Sequence, residues 1–229
     1  KLEYMNRAVK GIESPELPVA GMFYSGAVWQ AAANTLSDNV LFHAATDASV
    51  VVVLNHAKEK WELQATQSAA SIADLDATRV HDELAQLLAN YKATPVMLPL
   101  GTYDVVFGRE AYADLVGMCA WTGFSGGGCK RKSTFLKEED IGRTVFSEQL
   151  TLVDDPTART TYPYAFDCHG VERKPFPLVE RGVFKAFMWD RDSADEFSQK
   201  ETGHSVPARS MVIKPGTAQA GSLAEVMAQ

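Results

Sequence analysis

The longest unbroken apolar run in the chain is Val50-Val51-Val52-Val53-Leu54. Its length suits a strand, and the lack of alternation predicts burial on both faces. Shortly after it, residues 60–65 alternate, which places Trp61, Leu63 and Ala65 on one face of a second strand. Residues 20–66 therefore read as β-rich. The period then changes. Val80, Leu84, Leu87, Leu88 and Tyr91 recur every three or four residues, which predicts a helix from about Asp76 to Tyr91 with Asp74 or Asp76 as its cap. Thr94-Pro95 ends that helix, and Pro95 to Pro99 reads as a linker.

Beyond the linker, Gly101 to Phe107 reads as a strand. A second helix begins near Arg109, with Tyr112, Leu115, Val116 and Cys119 turned inward. After Gly128 the pattern is of short strands. Leu150 to Val153 is one, and Leu178 to Phe184 is a hairpin with Arg181-Gly182 in its tight turn, where glycine supplies positive φ. Asp190 to Gln199 suits a short surface helix. The fold class is α+β. Residues 1–95 form the C-terminal part of an N-terminal α/β domain, and residues 96–229 form the first part of a mainly antiparallel β-rich domain with a few helices. Both ends read as cut. Lys1 is not an initiator methionine, and Ser222 and Glu225 have capping-box spacing at the start of a helix. The expectation is a piece of a longer protein.

The formal net charge is −7 over 229 residues, which argues against a phosphate backbone as partner. No apolar run approaches the ~18 residues of a membrane span. Cys119, Cys129 and Cys168 are odd in number and lack C-x-x-C spacing. They suit free thiols in a cytoplasmic protein rather than a disulfide framework.

One segment concentrates candidate chemistry: Gly123-Phe124-Ser125-Gly126-Gly127-Gly128-Cys129-Lys130-Arg131-Lys132-Ser133. A Walker loop fails because Cys129 stands at the lysine position and a helix precedes the run. Gly123-Phe124-Ser125-Gly126-Gly127 is a literal G-x-S-x-G, and Asp167 and His204 follow in the chain order of a serine hydrolase triad. Against that reading, three cations follow the serine where a packed helix belongs. Metal ligation is poorly served. His43, His56, His81, His169 and His204 include no i, i+4 pair. His81 reads as an exposed helix residue beside the apolar stripe. The structural reading of Ser125 to Gly128 is a mobile connection from helix to strand. For Asp154-Asp155-Pro156 and for Asp167 to Gly170 it is a turn.

Four segments come in order at close spacing: Arg131-Lys132-Ser133-Thr134-Phe135-Leu136, then Leu150-Thr151-Leu152-Val153-Asp154-Asp155-Pro156, then Phe166-Asp167-Cys168-His169-Gly170-Val171, then Thr202-Gly203-His204. Together they resemble the TldD/PmbA family, once labelled modulators of DNA gyrase and now regarded as peptidases. The resemblance is tight from about Pro99 to Arg209. In the TldD-like branch an H-E-x-x-x-H helix and a later cysteine hold a catalytic metal. This chain resembles the PmbA or TldE-like branch, which lacks that motif and carries the run ending in R-K-S-T-F-L. Where the metal helix belongs, it reads Val116-Gly117-Met118-Cys119-Ala120-Trp121. His169, Glu201 and Arg181 depart from the family's usual Glu, Ser and Asn.

The resemblance implies a non-metal subunit of a metallopeptidase that processes small or unfolded proteins and peptides. It implies no catalytic or metal-binding residue here, and zinc in a partner bearing H-E-x-x-x-H. Partnership with a TldD-like subunit or with a second copy is expected, without nucleic acid or membrane. Ser125, Gly126, Gly127, Lys130, Arg131, Lys132, Ser133, Asp167 and His169 are the candidate peptide contacts, with exposed backbone N–H groups and cations gripping carbonyls or a carboxylate. Two rival readings stay open: a non-catalytic homodimeric scaffold or peptide-binding module, and a serine hydrolase using Ser125.

Overall fold

A computed structural model describes residues 1–33, 35, 40–92, 96–208, 210–217 and 225–226. The expected stop at Thr94-Pro95 and the capping box at Ser222 lie outside these residues. The chain forms two compact units, one of Lys1–Trp29 with Ala44–Gly101, the other of Gln30–His43 with Thr102–Gln229. Both are mixed α and β with antiparallel pairing.

The first unit opens with helix α1 (Leu2–Val9). Strands β1 (Val19–Ala33), β2 (Val40–Asn55) and β3 (Glu62–Ala69) form a sheet in that order, the last residues of β1 from Gln30 and the first of β2 up to His43 being counted with the second unit. Helix α2 (Ala77–Tyr91) follows, its start fixed by Asp76, whose side chain accepts the Thr78 N–H at 2.9 Å. Val80, Leu84 and Leu88 of α2 pack with Val50, Val52 and Leu54 of β2, Leu63 and Ala65 of β3, and Tyr4 and Ala8 of α1. The apolar run in β2 is buried on one face only, since Val51 and Val53 are half-buried. The helices cover a single side of the sheet, so the expectation of two buried faces fails there. His81 is half-buried, with Nδ1 3.3 Å from the Ala8 carbonyl oxygen, rather than exposed.

The second unit carries helices α3 (Arg109–Gly123), α4 (Gly126–Lys130) and α5 (Arg191–Glu196). Its sheet comprises β4 (Thr151–Asp154), β5 (Phe176–Glu180), β6 (Val183–Phe184) and β7 (Met211–Lys214) in the order β6-β5-β4-β7. Arg181 and Gly182 turn the β5–β6 hairpin at φ 47° and 80°, the left-handed pair that a two-residue hairpin needs. The core joins Leu152, Leu178, Val179, Phe184, Phe187 and Met188 to Val116 and Ala120 of α3.

Two expectations fail in this unit. Residues 101–107 form no strand, and Val105, Val106 and Phe107 stay exposed. Apolar alternation needs a ladder partner, and none pairs with it among the described residues. Helix α3 also turns a different face inward. Val116, Ala120 and Gly123 are buried, while Tyr112 and Leu115 are exposed and Cys119 is only partly covered. The buried stripe is the one with small residues. At Gly123 a Cβ would overlap the Phe135 ring, so closeness of approach outweighs side-chain hydrophobicity.

Candidate functional site

The glycine run is ordered helix, not a mobile connection. Ser125 is the N-cap of α4, and its Oγ accepts the Gly128 N–H at 3.0 Å. The Gly126 N–H donates to the Met188 carbonyl at 2.9 Å, and the Met188 N–H returns a bond to Phe124 at 2.8 Å. The glycines answer to contact. A Cβ on Gly126 would overlap the Trp189 indole, and one on Gly127 would fall 2.6 Å from Ser193 Cβ of α5. The end of α4 is a Schellman motif: Lys132 N–H bonds to Cys129, and Ser133 N–H to Gly128. Lys132 takes the left-handed position at φ 59°, a place usually held by glycine.

These bonds consume most of the N–H groups expected to grip a peptide. The cations are also engaged. Lys130 pairs with Glu138, and Arg131 pairs with Glu196 while its guanidinium lies 5.1 Å from the Phe197 ring centroid. Burial pushes the Cys129 thiol up, which leaves it a weak nucleophile. Lys132 and Ser133 remain exposed, although Ser133 Oγ donates to the Gly128 carbonyl at 3.0 Å.

Asp167 and His169 sit in a self-contained turn. Asp167 Oδ1 accepts the N–H groups of His169 and Val171, each at 2.9 Å, and Gly170 takes φ 81°. His169 is exposed. The bonds of this turn run within residues 165–173, whereas those of the α4 segment run to Met188, Glu138 and Glu196.

The polar center of the unit lies elsewhere. Asp154, at the end of β4, is fully buried. Its Oδ2 lies 2.8 Å from Arg173 Nη2 and 2.6 Å from His204 Nδ1, and its Oδ1 accepts the Ser210 N–H at 2.9 Å. His204 Nε2 is 3.0 Å from the Lys174 carbonyl oxygen, and the ring stacks on Phe176 with centroids 4.9 Å apart. Arg173 also donates to the Tyr164 carbonyl, and Ser210 Oγ to that of Tyr162. Burial alone pushes the Asp154 carboxyl up. The His204 bond, the Arg173 charge and the Ser210 N–H together outweigh it and hold the group below the usual carboxylate range.

This cluster overturns the serine hydrolase reading. His204 is buried with both ring nitrogens engaged, its carboxylate is Asp154 rather than Asp167, and the Ser125 oxygen serves as a cap. Sequence reasoning noted Asp154 and His204 within separate motifs but missed Arg173. Glu172, Arg173 and Lys174 are all charged, so nothing in that stretch of sequence singles out Arg173.

The residues present do not fit the metal that the resemblance implies for its other branch. On α3, Val116 and Ala120 are core side chains, and Met118 and Trp121 are exposed apolar groups. None supplies the nitrogen or oxygen donors that hold a hydrolytic zinc. Among the described residues, no group of three His, Cys, Asp or Glu side chains could hold an ion.

The helices and antiparallel sheets define an α+β protein. Residues 100–229 match the family model of the PmbA/TldA metallopeptidase C-terminal domain, which is more than half of the chain. The chain belongs to the TldD/PmbA family. It is 29% identical over 89 residues to a metalloprotease of Methanocaldococcus jannaschii, a stretch covering 34% of this chain and 20% of that protein. It is 28% identical over 127 residues to a metalloprotease of Methanothermobacter thermautotrophicus, covering 50% of this chain and 24% of the relative. The chain thus spans about a quarter or less of these curated relatives. Its fold is similar to TldE from Thermococcus kodakarensis, with TM-score 0.70 and 19% identity, covering 99% of this chain and 52% of that one. A candidate modulator of a DNA gyrase from Thermotoga maritima gives TM-score 0.75 and 19% identity, covering 94% and 52%.

Proposed function

We propose that the chain is the non-metal part of a TldD/PmbA-type metallopeptidase, contributing assembly and peptide contacts while a partner bearing H-E-x-x-x-H supplies zinc and bond cleavage. The observation that carries this reading is the side-chain chemistry of Val116 to Trp121 on α3, which includes no His, Asp or Glu to hold a metal and activate water where the resemblance puts the other branch's metal helix. The substrates are small or unfolded proteins and peptides. The free cysteines accord with a cytoplasmic setting, and no described helix is long and apolar enough to cross a membrane. Of the candidate peptide contacts, Lys132 fits best, because it is exposed while Lys130 and Arg131 are held by carboxylates.

The test is a reconstituted pair with an H-E-x-x-x-H subunit. Lys132→Ala in this chain should raise KM for a peptide while kcat and the partner's zinc content stay unchanged. Normal cleavage by the variant would reduce the segment to a structural connection. One tightly held zinc per copy of this chain, in metal analysis of chelator-free protein, would overturn the division of labour. Failure of the pair to cleave any peptide would favour a scaffold.

A further inference from the structure

We propose that Asp154 and its partners form a latch that acid opens, releasing His204, Ser210 and β7 from the end of β4 before the rest of the second unit unfolds. Three separate stretches meet this one carboxylate. Arg173 and His204 each reach its Oδ2, and the Ser210 N–H reaches its Oδ1. Arg173 and Ser210 carry the contact on to the carbonyls of Tyr164 and Tyr162. Asp155, the next acidic residue, turns its own Oδ1 to the N–H and hydroxyl of Thr157 at 2.9 and 2.6 Å, so it does not face the latch.

The released part is specified by topology. β7 lies at the edge of the sheet and pairs with β4 alone among the described strands. On its approach to β7 the chain is tied to β4 by the Ser210 N–H on Asp154 and by the Asp155 N–H on the Ser210 carbonyl at 2.7 Å. β5 and α3 give the apolar core its buried residues Leu178, Val179, Val116 and Ala120, whereas Val206, Ala208, Met211 and Ile213 pack against that core only partly buried. The sign follows from a carboxylate held below its ordinary range. Its contribution is complete above the unfolded value of about 3.9 and is lost as pH falls through the lower folded value.

Amide hydrogen exchange on the whole chain, corrected for intrinsic rates, tests this. At neutral pH, Asp154→Asn keeps the shape but turns a donor toward Arg173 and His204. Exchange across 202–208 and 211–214 should rise roughly ten- to hundredfold, the scale of a lost charge-assisted bond, with α3 and β5 unchanged. His204→Asn retains a donor toward Asp154 and loses the contact with Lys174, so its rise should be smaller. Wild type titrated down from pH 5 should begin to take on the Asp154→Asn pattern below the unfolded value of about 3.9. Equal protection in Asp154→Asn and wild type overturns the latch, as does a rise spread evenly over the second unit. If Asp154→Asn does not fold, that wild-type titration decides, and unchanged relative protection across it overturns the latch.

Discussion

The second unit is held together by opposite means at α4 and at Asp154. Around α4 the side chains are removed. Gly126 and Gly127 let the backbone approach Trp189 and α5 more closely than any Cβ would allow, and the fixing bonds run between neighbouring backbone groups. At Asp154 a full charge is buried and then satisfied by three donors from distant parts of the chain. The first arrangement tolerates loss of a side-chain bond but not gain of volume. The second tolerates neither, because each missing donor leaves charge in a medium that cannot solvate it.

Asp154→Ala should therefore have the largest effect. It removes the acceptor and strands Arg173, whose side chain is 4% exposed, beside His204. Breaking a buried pair from one side costs about 3–5 kcal/mol, read as a shift in the urea midpoint at neutral pH. A loss under about 1 kcal/mol would mean that water enters the cluster, and the comparison would collapse.

At α4 the expected rank is steric. Gly126→Ala drives a methyl into the Trp189 ring and should cost about 1–3 kcal/mol. Gly117→Ala on α3 is the control, since a Cβ there meets nothing within 4 Å. That exchange should stabilise by about 0.5–1 kcal/mol through helix propensity alone. Thermal midpoints of the two variants should move in opposite directions. If both fall, glycine is needed on α3 for a reason other than contact.

Ser125→Ala should cost about 1 kcal/mol, the value of one helix cap. A fluorophosphonate probe should leave wild-type Ser125 unlabelled, because its Oγ is occupied as the cap of α4 and His204 is held by Asp154 and Lys174. Specific labelling would reopen the hydrolase reading despite the burial of His204.

What sequence shows about these regions follows from the range of the forces involved. The stripe and cap of α2 are local, and Asp76, Val80, Leu84 and Leu88 behave as their spacing indicates. The Arg181-Gly182 turn is equally local. The inward face of α3 depends on where Phe135 lies, and residues 101–107 depend on a ladder partner, so neither follows from periodicity. The candidate site divides in the same way. Glycines beside cations suggest a flexible anion grip, yet Trp189, Ser193, Glu138 and Glu196 come from elsewhere in the chain to occupy it. Asp154 and His204 are 50 residues apart, and nothing in either motif names the other as its partner.

The smallest expected effect is a gain, at Lys132. A non-glycine residue at the left-handed position costs roughly 1 kcal/mol through crowding of Cβ against the carbonyl. Glycine removes that strain but brings a more flexible unfolded chain, which returns part of the gain. Lys132→Gly should thus stabilise by about 0.5 kcal/mol, as a higher urea midpoint at unchanged m-value. Lys132→Ala retains the Cβ and the strain and should leave stability where it was. The pair of variants separates two roles of one position. If Lys132 serves only as the terminus of α4, both variants should cleave peptide normally in the reconstituted enzyme. If its ammonium also meets substrate, both should raise KM alike while their stabilities differ. Loss of stability in Lys132→Gly would show that the Schellman geometry is held by the lysine side chain itself, and the contrast with Asp154 would then be one of degree.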